Sequence, residues 1–318
     1  MNLLVFVLQQ MLSFSVPLLI VALAAMFSER SGVINIGVEG IMVFGAFAGT
    51  LYLHFVGESG PVGLGALVVA ILISIAAGTL FSAFHAFASI NMFADQTISG
   101  TALNMFAGAF AIFVARSLIG IQQISFMGEF TVGKIPLLGD IPLIGPVLFN
   151  GVYLTTYVVL ILWAVSAIVL YKTSFGLRLR SAGEFPQATD AAGVSVSKIR
   201  WAGVLISGAL SGLGGLAYIL PVTTEFNGTV AGYGFLAIAV LIFGQWRPLL
   251  IGFSAFFFGL LKALSATYSG IPFLVNLGIP QVFYQILPYV ITVILLAFTS
   301  RKSRAPAAEG VPFDKGMR

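Results

Sequence analysis

The chain has no cysteine among its 318 residues, which excludes disulfides, thiol chemistry and any metal site built on thiolates. Histidine is nearly as scarce. His54 and His85 stand alone, without a second ligand at helical spacing, so no metal site is expected. Charge is the third shortage: Asp, Glu, Lys and Arg make up 8% of the chain, against about 25% in soluble domains. That is too little polar surface to wrap a water-soluble core. Neither paired carboxylates nor a Ser/His/Asp pattern points to catalysis. The stretch from Met1 to Gln10 lacks the basic region and small-residue cleavage site of a signal peptide, and it reads as a retained first helix. The net charge of +4 does not suggest a nucleic-acid partner, because the basic residues are gathered in a few loops rather than along a face.

What fills the chain instead is apolar: 59% hydrophobic residues, with 36 glycines and 29 phenylalanines. Membrane lipid is therefore the solvent for most of it, and glycine lets membrane helices approach closely. Runs of about 20 apolar residues mark crossings of a hydrocarbon layer about 30 Å thick. They are Leu3 to Phe27, Ile41 to Val56, Val62 to Phe87, Gly100 to Gly120, Tyr153 to Tyr171, Trp201 to Pro221, Leu249 to Tyr268 and Phe283 to Thr299. The shorter Val230 to Gln245 is either a crossing or a re-entrant piece. The expected fold is an all-α polytopic transmembrane bundle of eight or nine spans, occupying residues 1–300.

Basic residues set the orientation. Lys172, Arg178, Arg180, Lys198 and Arg200 place their segment in the cytoplasm, and Arg301, Lys302 and Arg304 do the same for a polar tail, residues 301–318, expected to be disordered from Ser303 to Arg318. Counting back puts Gln122 to Asn150 outside. The charge rule favours nine spans with an external N-terminus. The external connection contains Pro136, Pro142 and Pro146, and its apolar Ile135, Leu137, Leu138, Ile141, Leu143 and Ile144 should pack on the helices.

Gly128 to Lys134 has the glycine and lysine spacing of a phosphate-binding loop, but Ile135 stands where a hydroxyl must meet magnesium, and no strand-to-helix context surrounds it. No nucleotide site is expected in this chain. Asn227-Gly228-Thr229 matches a glycosylation acceptor only at the level of chance. Gly45 with Gly49, and Gly208 with Gly212, place small residues one turn apart, as close helix packing requires. Polar residues in or beside the spans are costly unless they meet a partner or a water-filled path. Asn35, Glu39, Asn104, Arg116, Gln245 and Lys262 are such residues, each suited either to line a pathway or to bond helices together. Asn35 and Glu39 would share a face of one helix. Glu225 and Asn227 lie near Pro221 and Gly228, where an interrupted helix could expose backbone to a solute.

Between two spans, Ser174 to Val196 carries Pro186 at a helix start, small Ala188, Ala191 and Ala192, and Gly193 at the helix end. A short, smooth helix of this kind is suited to docking in another protein's groove.

This segment resembles the coupling region of permease subunits in ATP-binding-cassette importers, in the branched-chain amino acid and ribose permease family. Gly176, Arg180, Gly183, Glu184, Pro186, Ala191, Ala192 and Gly193 match the family pattern, while Ser181 and Phe185 replace the usual Ala and Asn. Gly32-Val-Ile-Asn-Ile-Gly-Val-Glu-Gly40 is similar to a second family signature. Within the family, the likeness is nearest to nucleoside-importer permeases. The resemblance implies a bacterial inner-membrane permease without chemistry of its own. It would work with a second permease subunit, a cytoplasmic ATP-binding subunit that uses ATP and magnesium, and an external solute-binding lipoprotein, with no cofactor on this chain. It also implies that residues 176 to 193 couple to the ATPase. Branched-chain amino acids or simple sugars are the other solute classes. The alternative of a different kind, a secondary transporter or channel, would need buried ionisable residues in a relay, which only Glu39, Arg116 and Lys262 loosely supply.

Overall fold

The computed structural model describes residues 3–142, 144–271, 274, 276–299 and 305–314. Leu143, Arg301, Lys302 and Arg304, invoked above, lie outside these described residues. Among the described residues twelve α-helices carry the fold: α1 Leu3–Arg30, α2 Val38–Ser59, α3 Leu64–Ala86, α4 Gln96–Ile119, α5 Ile144–Leu148, α6 Leu154–Lys172, α7 Ser174–Glu184, α8 Pro186–Ala191, α9 Val196–Val222, α10 Tyr233–Phe243, α11 Pro248–Thr267 and α12 Gln281–Thr299. Seven helices among the described residues are long and apolar enough to cross a membrane, and Tyr233–Phe243 and Gln281–Ile294 are shorter apolar helices. Every span read from the sequence coincides with one of these nine.

The centre of the bundle is α1 and α9. Each buries 83% of its most apolar stretch, against 17% for α4, so α4 lies at the periphery. Glycine explains why α9 can sit so deep. A Cβ at Gly45 of α2 or Gly78 of α3 would overlap the backbone of Gly212 or Gly208 in α9, and one at Gly215 would overlap the carbonyl of Met42. The small residues at one-turn spacing thus bring three backbones into contact, where dispersion and packing supply the association that hydrophobicity cannot supply in lipid.

Helix ends define two faces. On one, Arg30 Nη2 donates to the Trp246 carbonyl (3.0 Å) and Trp246 Nε1 donates to Glu29 Oε2 (2.5 Å), close to α7 and the start of α9. On the opposite face, four two-residue strands clamp the connection between α4 and α6: β1 Ile124–Ser125 pairs with β4 Glu225–Phe226, and β2 Thr131–Val132 with β3 Val152–Tyr153, both antiparallel. Phe126 N–H donates to the Thr224 carbonyl and Glu129 N–H to the Val62 carbonyl. Gln9 Nε2 donates to the Pro146 carbonyl (2.9 Å). The connection therefore packs on the helix ends, but through Phe126, Phe130 and Val152 and its backbone hydrogen bonds; contrary to expectation Leu137, Leu138, Ile141 and Ile144 are exposed and Ile135 is only half-buried.

The tail departs from expectation. Residues 305–314 form a turn against the first face, where Ala308 N–H donates to the Gly183 carbonyl at 2.8 Å and Gly310 N–H to that of Gly32 at 3.2 Å. Apolar Pro306 and Ala308 are buried there, which composition averaged over the tail conceals.

Candidate functional site

Two places combine polar chemistry with irregular backbone. The first is a break inside the bundle. The chain descends from β4 through residues 227–232 and becomes helical only at Tyr233. The 11 residues of α10 span about 16 Å at 1.5 Å per residue, roughly half the hydrocarbon thickness. Non-helical backbone at such depth persists only where protein or a water-filled cavity satisfies it. Here Glu39 does so. Its carboxylate accepts from Gly232 N–H (2.9 Å) and Gly234 N–H (2.6 Å), placing negative charge at the positive end of α10. Gly232 adopts φ +76, the left-handed region that glycine enters without penalty, and a Cβ at Gly234 would crowd the Glu39 backbone.

The other polar residues named from the sequence separate into groups. Asn104 accepts from Gly40 N–H (2.7 Å) and donates to the Ile36 carbonyl (3.0 Å), so it tethers the start of α2 beside Glu39. Asn35 precedes α2 and is not helical. It turns to α9 and donates to Ser207 Oγ (3.0 Å), so the shared helical face with Glu39 does not form. Asn227 meets Arg116 across an outer cavity of about 410 Å³, also lined by Gln122 and Gln123. Glu225 is exposed in β4, and Gln245 lies at the other end of α10, bonded to the Ile242 carbonyl (3.1 Å).

Aromatic side chains surround the break. Lys262 Nζ donates to Tyr289 Oη (3.1 Å) and stands 4.8 Å from the Tyr289 ring and 5.5 Å from the Tyr233 ring. No carboxylate lies within ion-pair distance of it among the described residues. Tyr233 and Tyr218 have ring centroids 4.1 Å apart, and the Tyr233 hydroxyl is buried without a partner among the described residues. On the other side, Phe44 stacks on Phe81 at 4.4 Å, Phe81 meets Phe106 at 6.1 Å and Phe106 meets Phe110 at 5.4 Å. The tyrosine cluster carried no local sequence signal, because its members lie on three helices.

The second place is the α7–α8 segment. Thr173 Oγ1 caps α7 by accepting from Gly176 N–H (3.1 Å), and Gly176 is required because a Cβ would overlap the carbonyls of Val169 and Leu170 in α6. Arg180 donates to the Gly176 carbonyl and lies over the Tyr171 ring at 5.3 Å. Gly183 abuts the Arg30 carbonyl so closely that a Cβ would overlap it, while Glu184 Oε1 lies 3.5 Å from Arg30 Nη1. Pro186 opens α8 and is buried, and Gly193 follows it at φ +80. Ala188, Ala191 and Ala192 face outward, and Phe185 projects beside them, 61% exposed. Phe185, noted in the sequence only as a departure from the family pattern, is the largest apolar group on this surface.

Lys134, the lysine of the phosphate-loop-like spacing, is ion-paired with Asp140 in the connection between α4 and α6. Among the described residues no group of three potential metal ligands assembles.

Comparison with known proteins identifies the family. Residues 7–296 match the family described as branched-chain amino acid transport system, permease component. The guanosine ABC transporter permease protein NupQ of Bacillus subtilis is 41% identical, over 96% of this chain and 96% of that protein. The nucleoside ABC transporter permease protein NupC of Lactococcus lactis is 39% identical, over 99% and 98%. A solved metal-chelate type ABC transporter in an inward-facing conformation superposes with a TM-score of 0.51 at 17% identity, covering 93% of this chain and 85% of that one, a likeness of fold alone.

Proposed function

This chain belongs to the branched-chain amino acid transport permease family, and from that premise we propose that its solute is a nucleoside. It is a multi-pass membrane permease subunit of an ATP-driven importer, a transport component and not an enzyme, and works with ATP-binding subunits and a second permease subunit. The observation that carries the solute is near full-length similarity to permeases named for guanosine and nucleosides. The interior supports it, because a nucleoside pairs a stacking face with a polar ribose, and the break around Glu39 and α10 sets aromatic rings beside hydrogen-bonding groups.

In this reading an external binding protein delivers the solute to the face carrying β1 to β4, and the α7–α8 face, with the tail, is cytoplasmic. The basic residues Lys172, Arg178, Arg180, Lys198 and Arg200 support that orientation. The partner ATPase uses ATP and magnesium and receives α8 in a groove, with Phe185 and the three alanines as the contact surface. Closure of the ATPase pair moves Gly183 and Glu184, which bear on the end of α1, and so reaches the bundle's centre. Glu39, Asn104, Asn35, Asn227, Glu225 and Gln245 hold or border the path.

The test is uptake of labelled guanosine and uridine by cells expressing the full set of subunits, challenged with excess unlabelled nucleoside, leucine or ribose. Competition by nucleosides alone is expected. Competition by leucine or ribose, and not by nucleosides, would reject the solute while leaving the importer.

Lys262 offers a second check on the path. An ammonium inside a span with no carboxylate partner among the described residues is costly in lipid and is retained where it meets a solute or water. Lys262→Met should lower the maximal rate of uptake and leave the half-saturating concentration unchanged, because affinity resides in the binding protein. A shift in half-saturation at unchanged maximal rate would remove Lys262 from the path.

A further inference from the structure

We propose that residues 305–311 act as a latch that positions the coupling segment against α1 and α9, so that the tail takes part in transmitting ATPase closure to the membrane bundle. The proposal rests on the importer reading above but concerns a part of the chain which that reading does not use.

The latch touches the end of α7, the end of α1 and the start of α9. Ala308 N–H donates to the Gly183 carbonyl (2.8 Å) and Ala307 N–H to Glu184 Oε2 (3.3 Å), at the last two residues of α7 before the coupling helix. Gly310 N–H donates to the Gly32 carbonyl (3.2 Å), just past α1. The Val311 carbonyl accepts from Arg200 Nη1 (2.9 Å) in the first turns of α9. The turn is self-consistent: Glu309 N–H donates to the Pro306 carbonyl and Val311 N–H to that of Ala308.

Arg200 makes the case stronger than surface contact would. Its side chain is 2% exposed, and its Nε and Nη2 find no partner among the described residues. A buried guanidinium is costly unless hydrogen-bonded, and the tail carbonyl supplies a bond at Nη1. Glycine prepares the seat, since a Cβ at Gly32 would crowd both Arg200 and the Ala308 carbonyl, and one at Gly310, held at φ +76, would press on Ile34.

The seat also carries charge that responds to pH. Glu309 meets Glu29 and Arg30 of α1, while Glu184 of α7 and Arg200 of α9 bond the neighbouring tail residues. Burial pushes the Glu309 carboxyl from 4.5 up to about 7, against a hydrogen bond with Glu29 and the pull of Arg30. A group whose docked pKa is raised stabilises docking fully below its free value and loses that contribution as pH rises through the docked one. Docking therefore weakens as pH rises from about 4.5 to about 7, and little further above that.

The absence of native cysteine allows a direct test in the assembled, reconstituted importer. Ala308→Cys reports the buried seat and Ala305→Cys the exposed approach to it. A thiol reagent should label Ala308→Cys at least tenfold more slowly than Ala305→Cys, and Gly310→Val should bring the two within twofold. Gly310→Val, and deletion of residues 305–318, should each lower nucleoside uptake about tenfold while ATP hydrolysis stimulated by the loaded binding protein stays within twofold, so the ratio of solute moved to ATP consumed falls. The labelling ratio should move toward one as pH rises from about 5 to about 7 and change little above that, and Glu309→Gln should flatten that dependence. Equal labelling of the two cysteines in an otherwise unaltered chain would show that the tail is not seated. Release of the tail by Gly310→Val with an unchanged transport-to-hydrolysis ratio would show that it is seated without coupling. Either result overturns the latch, whereas an unaltered complex that moves no nucleoside at all overturns the solute.

Discussion

Gly183→Trp is expected to abolish uptake while the protein still inserts and ATP hydrolysis continues in the partner subunits. Gly183 sits where α7 bears on the end of α1, and even a Cβ there would overlap the Arg30 carbonyl and approach Gly32 N at 3.2 Å. The obstacle is backbone on both sides, so α7 must pivot away and take the coupling helix with it. The effect should grow with size: Gly183→Ala retains partial transport, and Gly183→Trp retains none above background. Membrane content measured by immunoblot separates failed insertion from failed coupling. Wild-type uptake by Gly183→Trp would end the docking role assigned to residues 176 to 193.

Glu39→Ala should produce the other large loss. It strips two backbone donors, Gly232 and Gly234, of their acceptor inside the bundle. Hydrogen bonds to a charged group are worth roughly 1.5–3 kcal/mol each, so losing both disfavours the native start of α10 by about 3 kcal/mol or more, on the order of a hundredfold. Uptake should fall accordingly. Glu39→Gln keeps one acceptor oxygen and should retain an intermediate rate. A substitution that merely altered a wall contact would not give this graded pair, and wild-type transport by Glu39→Ala would remove Glu39 from the architecture of the path.

The spans were legible because lipid imposes a one-dimensional rule: about 20 apolar residues must run without interruption. Even α10 registered, as the short stretch from Val230 to Gln245, although only the structure distinguishes the helical half from the irregular half. The short helix after Pro186 was legible for a different reason, since Pro186 and Gly193 punctuate it locally. What composition hid was long-range. Glu39 is polar in sequence, but its partners lie 193 and 195 residues away. Asn35 and Glu39 are spaced for one helical face, yet α2 begins only at Val38. The tail reads as polar, and only the burial of Pro306 and Ala308 beside Gly32 and Gly183 reveals that it is seated.

The contact of Gly45, Gly78, Gly208 and Gly212 divides the machine mechanically. Three backbones in contact leave no side-chain layer to slide or compress, so α2, α3 and α9 must turn as a single stator. Alternating access then falls to elements outside that block: the half-helix α10, which meets it at Gly234 and the Glu39 carboxylate, and α11 and α12 beyond it. An engineer seeking to freeze this permease should leave the glycine seam alone and bolt α10 to α11, because immobilising parts that already move as one changes nothing.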